Sequence, residues 1–215
     1  MEKLVPDQAD GLRRLMASST ARRITLVDCA QGGAALNLAQ ALAQQGRDVL
    51  LLDEHSGPQA LPPARGGRLV LIDAVPGPGG ALSALAAGAD PIVVVCAASA
   101  EAITQAYLCI KTLHQAHPLA RLRVLVSEAA DPAQAARLLA NLAATGSRYL
   151  GMALEPAGFV RADPLLAQAR RLKLGVVQAF GGSAAAGDFL RIAAELYHWP
   201  CRAPEPEALP AASLY

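Results

Sequence analysis

Residues 24–53 read ITLVDCAQGGAALNLAQALAQQGRDVLLLD. Ile24–Val27 is a short apolar run and predicts a buried strand. Ala34–Gln45 predicts a helix, because Leu36, Ala39 and Leu42–Ala43 recur at three-to-four spacing and Gly46 is a natural C-terminal stop. Val49–Leu52 is a second apolar run and ends at Asp53. Strand, helix and strand within one short stretch form a βαβ unit, and strands apolar throughout belong to a parallel sheet buried on both faces.

The alternation continues outward. Ser56–Arg68 is a loop rich in proline and glycine, Leu69–Ile72 a strand ending at Asp73, and Val75–Gly80 (VPGPGG) a second loop. Ile92–Cys96 and Leu122–Val126 predict strands flanking a helix from about Ser99 to Gln115, whose stripe is Ile103, Tyr107, Ile110 and His114. Asp131 caps the next helix, with Pro132 in its first turn. Tyr149–Leu154 and Gly175–Gln178 are read as strands, with a helix over Pro164–Lys173 between them and a last helix over Asp188–His198. The fold class is therefore α/β: a doubly wound, mostly parallel sheet of about six or seven strands with helices on both faces and the first strand central. Ligands in such sheets bind beyond the carboxyl ends of the strands, where Asp28, Asp53 and Asp73 are expected to gather.

The chain has 215 residues, 53% of them hydrophobic and 17% charged, which excludes a disordered chain. A net charge of +1 gives no bulk attraction to nucleic acid or an anionic membrane. The longest apolar run, Pro91–Ala98, is too short to span a bilayer, and MEKLVPDQAD lacks the apolar core of a signal peptide, so a cytoplasmic location is expected. Cys29, Cys96, Cys109 and Cys201 form no C-x-x-C pair and are expected as buried reduced thiols. His114 and His117 supply too few ligands for zinc, and no metal site is expected. No G-x-S-x-G or G-x-G-x-x-G motif is present. Arg161, Arg170, Arg171 and Lys173 are read as a solvated basic face, and the last helix as core packing without stable membrane binding.

Two segments carry a family resemblance. NLAQALAQQGRDVLLLD (37–53) resembles the first helix and second strand of MinD/ParA-type P-loop ATPases, and LVLIDAVPGPG (69–79) resembles their strand and switch II turn. ADPIVVVC (89–96), the helix after it and the Arg121–Ser127 strand continue the match. Near the start, Asp7-Gln8-Ala9-Asp10-Gly11-Leu12-Arg13-Arg14-Leu15 resembles the DQAxxLRxL segment of the FlhG (FleN) family of flagellar-number regulators. That resemblance implies a helix over 1–20 that binds an FlhF-like, signal-recognition-type GTPase through Asp7, Gln8, Leu12, Arg13 and Leu15, with other flagellar basal-body or regulatory proteins as further partners. The implied organisation is a partner-binding helix at 1–20, a MinD-like α/β domain at 21–199, and a proline-rich tail at 200–215.

The departures from the family bear on mechanism. A phosphate loop needs glycine-rich backbone, a lysine and a Ser/Thr hydroxyl for Mg²⁺. Asp28-Cys29-Ala30-Gln31-Gly32-Gly33 has no lysine, and no Ser or Thr occurs between Thr25 and Ser56. The loop is about five residues short of the motif. Gly32 and Gly33 are a remnant of it or a tight turn. Asp53 and Asp73 match family acids that help hold Mg²⁺ and water, and are carried over as remnants. The family's long segment between these acids is missing, and Ser127 stands where many members have a base-reading Asn. No cofactor and no ATP hydrolysis are expected. The alternatives are an ATPase with an unusual loop, which would take ATP and Mg²⁺, and a generic α/β interaction domain.

Overall fold

The computed structural model describes residues 22–56 and 68–200. Six strands form one sheet: β1 (Arg22–Asp28), β2 (Val49–Asp53), β3 (Leu69–Asp73), β4 (Ile92–Ala97), β5 (Leu122–Ala129) and β6 (Glu155–Arg161). Their order is β2-β3-β1-β4-β5-β6, and every pairing is parallel. The helices are α1 (Ala34–Gln44), α2 (Ala84–Ala87), α3 (Ala100–Ala116), α4 (Pro132–Leu150), α5 (Pro164–Arg171), α6 (Val176–Ala179) and α7 (Ala184–Leu196).

Successive strand residues point to opposite faces, so each apolar run feeds two cores. Ile24, Leu26, Leu69, Leu71, Val93 and Val95 pack under α1 and α7. Val27, Val70, Ile72, Ile92, Val94 and Cys96 pack under α3 and α4. Thr25 is fully buried, and its hydroxyl donates to the Ala86 carbonyl at 2.9 Å, which fixes α2 against β1.

The sequence expectation of an α/β parallel sheet with β1 inside it holds. Several element assignments need correction. Tyr149 and Leu150 close α4 instead of opening a strand, and Gly151 caps the helix at φ 65°. The sixth strand begins at Glu155, because the chain must cross back from the long α4 before it can pair with β5. Gly175–Gln178 is not a strand: Val176–Ala179 is a single helical turn whose Val176 and Val177 are buried beneath α7. The apolar run was ambiguous between strand and buried helix, and with β5 and β6 already paired the packing chose the helix. The last helix starts at Ala184, where the Ser183 side chain accepts from Ala186 N. A comparable Ser83 cap starts α2, which the periodicity did not reveal in so short an element. Asp131 caps α4 as expected, accepting from Gln134 N at 2.7 Å. The buried face of α7, with Phe189, Ile192 and Leu196, packs on the sheet. Among the described residues, no helix is long and apolar enough to cross a membrane.

Candidate functional site

The β1–α1 loop lies at the carboxyl end of the sheet, where chain connections diverge to either side of β1. Its first residue, Asp28, turns back on the loop. Asp28 Oδ1 accepts from Ala30 N at 3.0 Å, and Oδ2 accepts from Ala34 N at 3.1 Å. Ala34 is the first residue of α1, and the helix has no side-chain cap from its N-cap residue, Gly33. A carboxylate six positions upstream therefore supplies the negative charge that the helix N-terminus attracts. In a phosphate loop, backbone amides at this place face the ligand; here two of them are bonded to the chain itself.

The loop is braced from outside. Gly33 takes the left-handed conformation, φ 69° and ψ 37°, which glycine adopts without steric cost. Arg170 Nη1 of α5 donates to the Gln31 carbonyl at 3.0 Å. Asn37 Nδ2 donates to the Gly33 carbonyl at 2.9 Å, and Asn37 Oδ1 accepts from Val176 N at 2.6 Å. Arg170 is exposed, as expected of a solvated face, and it also supports the loop. Its role had no signal in the sequence, because the contact joins residues far apart along the chain. Arg161 is exposed as well, and forms a forked ion pair with buried Asp188 at 2.9 Å. Arg170 and Lys173 line a cleft of about 230 Å³ with Gly32 and Gly33.

Asp53 and Asp73 are register partners at the ends of β2 and β3. Asp53 Oδ1 accepts from His55 N and Oδ2 from Ser56 Oγ, both at 2.9 Å, so this carboxylate caps its own turn. Asp73 Oδ1 is buried without a hydrogen-bond partner, and His55 Nε2 lies 3.8 Å away. Burial pushes the Asp73 carboxyl up to about 6; Asp28, Asp53 and Glu54 add repulsion, while His55 opposes the shift. Donor atoms of Asp53, His55 and Asp73 lie within 4.8 Å of one another, so among the described residues these three form a group that could hold a divalent cation. His55 was not singled out in the sequence, and the turn Glu54–Ser56 brings it in. Glu54 accepts from Ser83 Oγ at 2.6 Å and from Val75 N at 3.4 Å, which ties this turn to the loop after β3.

The chain's three lysines are Lys3, Lys111 and Lys173, none of them in the β1–α1 loop. The thiols also differ from expectation. Cys96 is buried, but Cys29 and Cys109 are only half-buried and lie at the edge of the same core. Asp7, Gln8, Leu12, Arg13 and Leu15 lie outside the described residues, as do Cys201 and the tail after Pro200.

Asp28→Ala removes two accepted hydrogen bonds and a charge at a helix N-terminus. It should destabilise the fold by about 1–2 kcal/mol, with Asp28→Asn losing less. Urea denaturation midpoints measure both, and an unchanged midpoint for Asp28→Ala would remove the structural role assigned here.

The sheet order and the all-parallel pairing form an α/β fold that is shared with solved MinD structures. The MinD cell division protein of Aquifex aeolicus superposes with a TM-score of 0.58 at 15% identity, covering 85% of this chain and 99% of that one. MinD of Pyrococcus horikoshii, solved with Mg-ADP, gives a TM-score of 0.57 at 14% identity over 82% of this chain and 96% of that one. In sequence, the chain is similar to the antiactivator FleN of Pseudomonas aeruginosa, 29% identical over 132 residues, or 61% of this chain. The match covers 47% of FleN, so the chain spans about half the length of this curated relative. No family model matches the chain.

Proposed function

We propose that the chain is an FlhG-like regulator of flagellar number and placement that works by protein contact and does not turn over ATP. The observation that carries the non-catalytic half is the Asp28 carboxylate on the amides of Ala30 and Ala34. A phosphate entering there meets a fixed like charge and no lysine from the loop, so ATP gains neither those two amides nor a counter-charge from the loop itself. Asp53, already engaged in its own turn, has no phosphate to act with. The flagellar half rests on the similarity to FleN and on the 7–15 segment. That segment needs no nucleotide loop. In the sequence, the spacing of Leu12, Leu15 and Met16 beside Gln8, Arg13 and Arg14 is the pattern of a helix that docks in a groove. The partner is an FlhF-like GTPase, at whose active site Gln8 and Arg13 act by their positions in the motif; other flagellar regulatory proteins share the interaction. The protein works in the cytoplasm.

One observation favours the second reading, an ATPase with an unusual loop: Arg170 and Lys173 set two cations beside Gly32 and Gly33. Thermal melting in Mg-ATP separates the two. A ligand at a hundred times its dissociation constant adds about 2.7 kcal/mol to the native state. No shift is expected, and a saturable shift abolished by Asp53→Ala would establish the ATPase reading instead. For the partner, GTP turnover by an FlhF-like GTPase should rise with the intact chain and with a peptide of residues 1–20. Leu12→Asp should abolish the rise, since docking would bury an unpaired charge. Gln8→Ala and Arg13→Ala should diminish it without altering the melt of the full chain. If neither peptide nor chain stimulates turnover, the flagellar assignment falls and the MinD-like fold remains.

A further inference from the structure

On the other side of the β1–α1 loop lies an open cleft of about 570 Å³. Cys29, Pro76, Gly77, Gly80, Cys109 and Thr112 are among the residues that line it. Cys29 is the first residue beyond β1, held in place by its N–H donating to the Val95 carbonyl at 3.0 Å. Cys109 stands on the sheet-facing side of α3, packed against the same core that holds Cys29. The two thiols come from elements distant in sequence, yet both line the same solvent-open cleft and pack against the same core. Cys96, at the end of β4, is fully buried and does not line the cleft.

We propose that Cys29 and Cys109 form a peroxide-reactive thiol pair that closes into a reversible disulfide, with Cys29 the attacking sulfur and Cys109 the resolving one. This site does not depend on the flagellar reading or on nucleotide binding. The two sulfurs are inequivalent. The adjacent Cys109 side chain holds the Cys29 thiol below its ordinary range, against burial and the neighbouring Asp28 carboxylate. The same contact, with burial, pushes Cys109 up, which makes Cys29 the more acidic thiol of the two. Burial pushes Cys96 up to about 12, which makes it inert by comparison.

The Cys29 thiolate attacks one oxygen of hydrogen peroxide; the O–O bond breaks, leaving a sulfenic acid on Cys29 and releasing hydroxide. The Cys109 sulfur then attacks the Cys29 sulfur. An S–S bond forms, the S–O bond breaks, and the hydroxyl leaves as water with the Cys109 proton. Two thiols lose two electrons in total. Peroxide gains them and ends as two waters, counting the proton Cys29 gave up on ionising. A dithiol reductant returns both thiols. The link ties the β1–α1 loop to α3 beside the Pro76–Gly80 turn and so fixes both walls of the cleft.

The test uses the full chain carrying Cys201→Ser, treated with hydrogen peroxide, blocked by N-ethylmaleimide and digested without reductant. Mass spectrometry should find the Cys29 and Cys109 peptides joined and lighter by two hydrogens, with both sites lost to alkylation together and regained after dithiothreitol. In Cys109→Ser, Cys29 should accumulate a dimedone-reactive sulfenic acid; in Cys29→Ser, Cys109 should not. Separate over-oxidation of the two cysteines without a cross-link overturns the pair. Dimedone labelling of Cys109 as strong as that of Cys29 overturns the assigned order. The cross-link is read on chains that retain both cysteines, so the proposal stays testable even if a single-cysteine variant fails to fold.

Discussion

Gly80→Ala should lower stability on the order of 3 kcal/mol, about 10 °C in melting temperature for a chain of this size. Gly80 closes the Pro76–Gly80 turn at φ 83°, and a Cβ there would lie 2.5 Å from the Thr112 carbonyl carbon and 2.8 Å from Leu113 N. Those atoms are α3 backbone. They can retreat only if the helix breaks its own hydrogen bonds or leaves the core into which Ala106, Ile110 and Leu113 are packed. The left-handed conformation alone costs an L-residue about 1–2 kcal/mol, and the collision adds the rest. Gly79→Ala is the control. Gly79 has φ 68°, but nothing lies within 4 Å of its added Cβ, so only the conformational cost applies. Equal melting temperatures for the two variants would show that the turn is not seated on α3. The consequence reaches the site, because this stretch forms a wall of the cleft that Cys29 and Cys109 also line.

Asp73→Asn should stabilise the protein at neutral pH by about 2–3 kcal/mol and leave it nearly unchanged below pH 4. Burial first, and the Asp28, Asp53 and Glu54 carboxylates second, push Asp73 up to about 6 from its ordinary 3.8. Between those values the folded chain binds more protons than the unfolded one. The stabilising contribution is therefore complete below about pH 4 and is lost as pH rises through about 6. Asparagine keeps the neutral form at every pH, so the variant should lack this loss. Urea midpoints at pH 4 and pH 7.5 measure it, and parallel profiles for the two proteins would count against a destabilising carboxylate at this position. The side-chain oxygen without a hydrogen-bond partner is the structural source of the effect, since a buried anion with nothing to donate to it is costly.

The sequence alone decided the fold class. Ile24–Val27, Leu69–Ile72, Ile92–Cys96 and Leu122–Val126 are apolar at every position or nearly so, and only a sheet covered on both faces buries such strands. Asp131 before Pro132 marked a helix start from local chemistry. The absence of lysine, serine and threonine from the β1–α1 loop was equally legible, because it is a matter of composition. Short apolar stretches were not. Val176–Ala179 has the residues of a strand and the length of either element, and its place beneath α7 made it a helical turn. Nor did the sequence reveal that Asp28 bonds the amides of its own loop, that Arg170 braces that loop through Gln31, or that Cys29 meets Cys109. Periodicity and capping report on neighbours a few positions apart. Which distant side chains meet depends on strand order and on how each helix settles on the sheet, and those are fixed only when the two cores pack.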